Sequence, residues 1–303
     1  MKKIFIAVIL FIAVNSSYAC NICGCGGGNT YMGLMPNFKN HFFGLRYNYA
    51  SFHTQLLNDP TQFSNNYYNS VELWGGINIS KKFRVMGFVP YYINKQVDDD
   101  GIMNKNGLGD ITLIAQYQFF HSFSLLANHK SMEQQLWLGG GIKAPTGSFK
   151  VNPNDTTTTV ADINAQLGTG STDFILNGLY SIRIGSYGIN VSGNYKFNTL
   201  NSDHYQYGNK FTTNAIAFYR INNKRNTITP NAGVGYETVK GNRLNGKEVQ
   251  FTGSHVTTAL AGLEFNFSSV GIGFNAQIPI QQSFAEGQTT MKMRGMVHIT
   301  FSL

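Results

Sequence analysis

The stretch MKMRGMVHITFSL, residues 291–303, decides the fold. Its odd positions are Met291, Met293, Gly295, Val297, Ile299, Phe301 and Leu303. Its even positions are Lys292, Arg294, Met296, His298, Thr300 and Ser302. Successive side chains of a strand point to opposite faces, so this segment has one apolar face and one basic, polar face. A helix would scatter both classes around its circumference, because its period is 3.6 residues. An apolar face needs either a core or a hydrocarbon medium. Repeated around a single closed sheet, it meets lipid on one side and water on the other.

The same alternation recurs upstream. Ile111, Leu113, Ala115, Tyr117 and Phe119 oppose Asp110, Thr112, Gln116 and Gln118. Ile189, Val191, Gly193, Tyr195 and Phe197 oppose Asn190, Ser192, Asn194, Lys196 and Asn198. Twelve such segments follow one another, at about 41–53, 67–79, 83–97, 108–121, 134–144, 172–184, 187–198, 210–221, 226–239, 256–267, 269–280 and 291–303. A tilted strand crosses a bilayer in about 9–11 residues, and each segment reaches that length. Short connections at 80–82, 185–186, 222–224 and 268–269 alternate with long ones at 54–66, 98–107, 145–171, 199–209, 240–255 and 281–290. The connection 122–133 breaks the alternation, being long where a short turn is due.

This pattern predicts an all-β fold, a transmembrane up-and-down antiparallel β-barrel of about twelve strands over residues 39–303. Closure is expected because hydrocarbon offers no partner to an open sheet edge. In such barrels the short turns face the periplasm and the long loops face outside, which puts both termini in the periplasm. Aromatic residues toward the strand ends, among them Tyr47, Tyr91, Tyr117, Tyr187 and Tyr219, fit interfacial girdles. Residues 1–19 have the form of a signal peptide: Lys2 and Lys3, an apolar run from Ile4 to Val14, then small residues at Ser17 and Ala19. The expected location is therefore the outer membrane of a Gram-negative bacterium. Lipid and lipopolysaccharide surround the barrel there, and a monomer is expected.

Composition agrees. Charged residues make up 13% of the 303, glycines number 33, and the formal net charge is +8. Mean hydropathy is −0.16, as expected when half of each strand faces lipid and half faces water. No aromatic–basic pattern points to nucleic acid. No Gly-x-Ser-x-Gly or His-Glu-x-x-His motif is present, so the sequence predicts no enzyme. The alternation instead assigns charged side chains to a wet lumen: Arg46, Glu72, Arg84, Asp110, Lys143, Asp173, Arg183, Lys196, Arg220, Glu237, Glu264, Lys292 and Arg294. Charge on the lipid face is costly, so this phase is consistent with a barrel. Trp74, Met86, Phe88, Tyr92 and Trp137 share it. They either serve a partly apolar solute or fill a narrow barrel.

All three cysteines lie in one segment, Cys20, Cys23 and Cys25, followed by Gly26, Gly27 and Gly28. This glycine-rich segment, 20–38, precedes the barrel. Thiolates this close can converge on a soft ion, Cu(I) or Zn(II), with Met32 and Met35 nearby as thioethers. A Cys20–Cys23 disulfide with Cys25 spare stands as an alternative in an oxidising compartment, and so does lipidation of Cys20.

Three further motifs carry a family resemblance. They are Gly107-Leu-Gly-Asp110-Ile-Thr-Leu113, Gly141-Ile-Lys-Ala-Pro145-Thr-Gly147 and Gly168-Thr-Gly-Ser-Thr-Asp173-Phe174. They resemble elements of the outer-membrane barrels grouped with the meta-pathway of phenol degradation, which are loosely similar to fatty-acid channels. The resemblance spans roughly 100–300. It implies passage of small, often hydrophobic molecules and supplies no catalytic residues. The N-terminal cysteines, with Gly33 to Tyr47, resemble a Bacteroidetes-type subset of such barrels, which implies a periplasmic metal-binding protein as partner. The resulting expectation is a conduit for a small molecule or ion, linked to copper or another soft metal through the cysteines. A barrel that only anchors the Cys segment, and a structural or adhesive barrel, are the alternatives.

Overall fold

The computed structural model describes residues 41–55, 63–98, 101–127, 130–150, 152–153, 165–223 and 226–303. The signal-like segment, Cys20, Cys23 and Cys25, Asp99 and Asp100 lie outside the described residues, as does most of the low-complexity run 151–159.

Twelve long strands make one closed wall: β1 (Phe42–Gln55), β2 (Phe63–Ser80), β3 (Phe83–Asp98), β4 (Thr112–Leu125), β5 (Ser131–Lys143), β6 (Asp173–Ile184), β7 (Tyr187–Phe197), β8 (Lys210–Tyr219), β9 (Asn226–Val239), β10 (Ser254–Phe267), β11 (Val270–Phe284) and β12 (Thr289–Ser302). Each pairs antiparallel with its sequence neighbours. β12 closes on β1, from Phe42 opposite Ser302 to Thr54 opposite Thr289. Among the described residues no helix is long and apolar enough to cross a membrane; the crossing elements of this fold are strands.

The period-2 pattern turns apolar side chains outward. Leu45 is 51% exposed, Leu73 52% and Ile278 61%, with Phe119, Leu176 and Ile189 likewise outside. Soluble monomers rarely show apolar surface of this extent, so the wall is built for hydrocarbon. The rings of Tyr187 and Tyr219 meet at a tilt of 52°, 4.7 Å apart, on the outer face near the 185–186 turn.

Three boundaries differ from the sequence expectation. Most of the expected loop 98–107 is strand: Gly101–Leu108 pairs with β3 and continues the fourth stave. The stave breaks at Gly109–Ile111, next to Pro90, which has no N–H to offer a neighbouring strand. Second, the connection 122–133 is mostly strand, since β4 and β5 stay paired as far as Leu125 opposite Ser131. The ladder shifts at Phe119, so two successive aromatics, Phe119 and Phe120, lie outside and the alternation fades in the sequence. Third, 281–290 is not a long loop: β11 runs to Phe284 and β12 begins at Thr289.

Candidate functional site

The inner face of the wall gathers most of the charged residues into polar contacts. Arg46 on β1 donates to Glu72 directly opposite on β2, and its guanidinium lies 5.2 Å from the Trp74 ring centre. Arg84 on β3 donates to Gln116 at 2.6 Å and lies 4.1 Å from the Trp137 ring centre. Glu237 on β9 receives Arg294 at 3.2 Å and Lys210 at 3.0 Å. Glu264 on β10 pairs with His298 on β12 at 3.2 Å. Near the short-turn rim Arg183 donates to Glu133 at 2.7 Å, with Arg220 close by.

Lys292 is the exception. It is exposed, while Met291, expected on the lipid face, is 1% exposed and packs inside with Phe52, Val256 and Phe284. The cause is a bulge: Ser51 faces Met293 and Phe52 faces Met291, leaving Lys292 as the extra residue. A bulge shifts the phase of every residue beyond it, so alternation alone misplaced Lys292.

Asp110, Lys143 and Asp173 form the densest cluster. Lys143 Nζ lies 2.5 Å from Asp110 Oδ2 and 2.9 Å from Asp173 Oδ2. Asp110 also accepts the backbone N–H groups of Gly147 and Thr169, each at 2.9 Å, and the Thr169 hydroxyl at 3.1 Å. Asp173 accepts the Ser171 hydroxyl at 2.8 Å and the Thr199 N–H at 3.0 Å. The three glycine-rich motifs, far apart in the chain, thus converge on one point. Both ends of the 144–172 connection are bound to the inner wall by it. Thr169, Ser171, Glu133 and Lys210 are participants that alternation did not single out. Glu133 falls where the alternation fades after Phe119, whereas Thr169 and Ser171 lie within the glycine-rich motif 168–174.

Above this cluster Tyr205 and Tyr207 are buried against Phe149, Leu244 and Val249. Burial pushes the Tyr207 phenol well above its usual pKa; the charges of Tyr205, Asp110 and Asp173 add to it.

Inward glycines let side chains two strands apart touch. Gly273 on β11 lies between Glu264 and His298 in the ladder, and a Cβ there would strike both. Gly139 on β5 lies between Gln116 and Asn177, which bond across it. Gly141 does the same for Ile114 and Ile175, extending an apolar cluster of Trp74, Met86 and Phe88 inside the barrel. Among the described residues no group of three His, Cys, Asp or Glu side chains is placed to hold a metal.

The comparisons with known proteins agree with this architecture. An outer-membrane channel of Pseudomonas putida F1 matches with a TM-score of 0.58 at 11% identity, over 96% of this chain and 100% of that one. The beta domain of the Bordetella autotransporter BrkA matches with a TM-score of 0.51 at 10% identity, over 87% of this chain and 100% of that one. At such identities the likeness establishes the fold of the outer-membrane β-barrels and nothing finer. No curated protein matches the chain. The family model described as "Putative MetA-pathway of phenol degradation" matches residues 62–290, and with three quarters of its length so matched the chain belongs to that family.

Proposed function

We propose that the protein is an outer-membrane channel that lets a small solute pass, with the short-turn rim and both termini in the periplasm. The observation that carries this is the inner face itself. It combines charges paired across the strands with an apolar cluster of Trp74, Met86, Phe88, Ile114 and Ile175, all within a closed wall. The apolar outer belt suits a monomer surrounded by lipid and lipopolysaccharide. The Pseudomonas putida barrel is itself described as a channel, which makes conduction the first property to measure. The test is stepwise conductance of the refolded chain in planar bilayers, with solute-driven swelling of vesicles beside it. Discrete steps support the channel; a silent bilayer and unswollen vesicles reject it.

A second reading keeps the cysteines in view, because every thiol of the chain falls between Cys20 and Cys25. In it the segment binds Cu(I) or Zn(II) and exchanges it with a periplasmic metal-binding protein, as the likeness to the Bacteroidetes-type subset implies. Chelator competition for Cu(I) under reducing conditions tests this. Tight binding lost on replacing Cys20, Cys23 and Cys25 by serine supports it, and equal binding by both proteins ends it.

A further inference from the structure

The carboxylates near the long-loop end of the interior are already engaged. Asp110 and Asp173 hold Lys143 and their hydroxyl and backbone donors, and Glu237 holds Lys210 and Arg294. Among the described residues at this end of the interior, Lys196 is a cation left without a carboxylate partner. It sits on β7, opposite like-charged Lys210 on β8, and has neither an ion pair nor a side-chain hydrogen bond. One inward position along the same strand, Asn194 is 6% exposed. Its Oδ1 accepts from Asn177, but its Nδ2 is buried with no acceptor. A half-buried ammonium without an ion pair and a buried amide N–H without an acceptor each carry a desolvation cost that an acceptor would relieve. On the other side of β7, Lys196 faces Ile175 directly. Ile175 belongs to the interior apolar cluster, which continues through Ile114 and Phe88 to Trp74.

We infer that Lys196 and Asn194 form the polar end of an interior binding site for a small organic carboxylate whose apolar body lies along Ile175, Ile114 and Phe88. The ammonium supplies charge and the amide a second donor, which matches the two oxygens of a carboxylate. The apolar wall discriminates against a bare inorganic anion. The inference rests on the channel reading for its physiological meaning, since the site would be a station on the solute's path.

The chain carries a reporter for this, because its two tryptophans, Trp74 and Trp137, both lie buried inside the barrel. The full chain, refolded in detergent, is titrated with hexanoate, hexan-1-ol and inorganic phosphate while tryptophan emission is followed. Hexanoate is expected to give a saturable change at a concentration at least about tenfold below hexan-1-ol. Phosphate is expected to bind more weakly than hexanoate. Lys196→Gln is expected to erase the preference for hexanoate over the alcohol, and Lys196→Arg to keep it. Heat-modifiable gel migration checks that each variant has closed its barrel. Equal affinity for hexanoate and hexan-1-ol overturns the inference, as does phosphate binding as tightly as hexanoate, or an unchanged preference in a folded Lys196→Gln protein. The bilayer measurement is independent of this one. Hexanoate binding in a protein that never conducts rejects the channel and keeps the site; conduction without a hexanoate preference rejects the site and keeps the channel.

Discussion

Two buried ionic clusters in the barrel are built differently. Arg46 and Glu72 are direct neighbours on adjacent strands, and each is the other's ionic partner. Asp110 meets Lys143, but it also accepts two backbone N–H groups and a hydroxyl from the 144–172 connection. The first cluster joins two strands that the sheet already joins. The second attaches a loop to the wall where the fourth stave is broken. Such a difference matters when a partner is removed, because backbone donors cannot be deleted with the side chain.

The largest expected effect comes from Asp110→Ala. It leaves the Lys143 ammonium with Asp173 as its one carboxylate partner, and it removes the acceptor of the buried Gly147 N–H and the part-buried Thr169 N–H. Breaking a buried pair costs about 3–5 kcal/mol, measurable as a lower urea midpoint for unfolding from vesicles. The 144–172 segment is also expected to become sensitive to protease while the barrel stays heat-modifiable. An unchanged proteolysis pattern would show that the cluster does not hold the loop.

Next is a comparison of double replacements. Arg46→Met with Glu72→Leu is expected to recover most of what either single change loses, because both charges depart together. Asp110→Leu with Lys143→Met is expected to remain about 2 kcal/mol or more below the native chain, because two backbone donors stay unsatisfied. Equal recovery in both cycles would erase the distinction drawn between the clusters.

Gly273→Val probes a smaller term. Its side chain enters the space where Glu264 meets His298, and overpacking of that kind costs about 1–3 kcal/mol. Lys292→Ala, on the exposed bulge, is expected to change stability by no more than about 0.5 kcal/mol. A large loss there would mean that Lys292 faces inward after all.

Most of the wall was legible in the sequence because each strand borders two unlike media, which forces alternation. The alternation is lost where the chain departs from strict pairing. At Lys292 and Phe119 an extra residue shifts the phase, and an inserted residue looks like any other in the sequence. At Gly101–Leu108 the composition, with Asn104, Lys105 and Asn106, resembles a loop although the segment pairs with β3. The partners of the charged residues were not readable. Whether Asp110 meets Lys143 or Asp173 depends on register and on the shape of a connection, neither of which any single strand encodes. The motifs around Asp110, Gly147 and Asp173 are separate in the sequence, and the folded wall brings them together at Lys143.

The inward glycines have a mechanical consequence. Hydrogen bonds stitch each strand to its immediate neighbours, about 4.8 Å away. The Glu264–His298 contact spans twice that distance, passing over Gly273 from β10 to β12. Gln116 and Asn177 do the same over Gly139. A strand so bridged cannot be pulled from one neighbour without also loading a tie between the strands on either side of it. Under force from a single terminus, such a wall should give way in groups of strands rather than one at a time. The residues that set the size of those groups are the ones with no side chain at all.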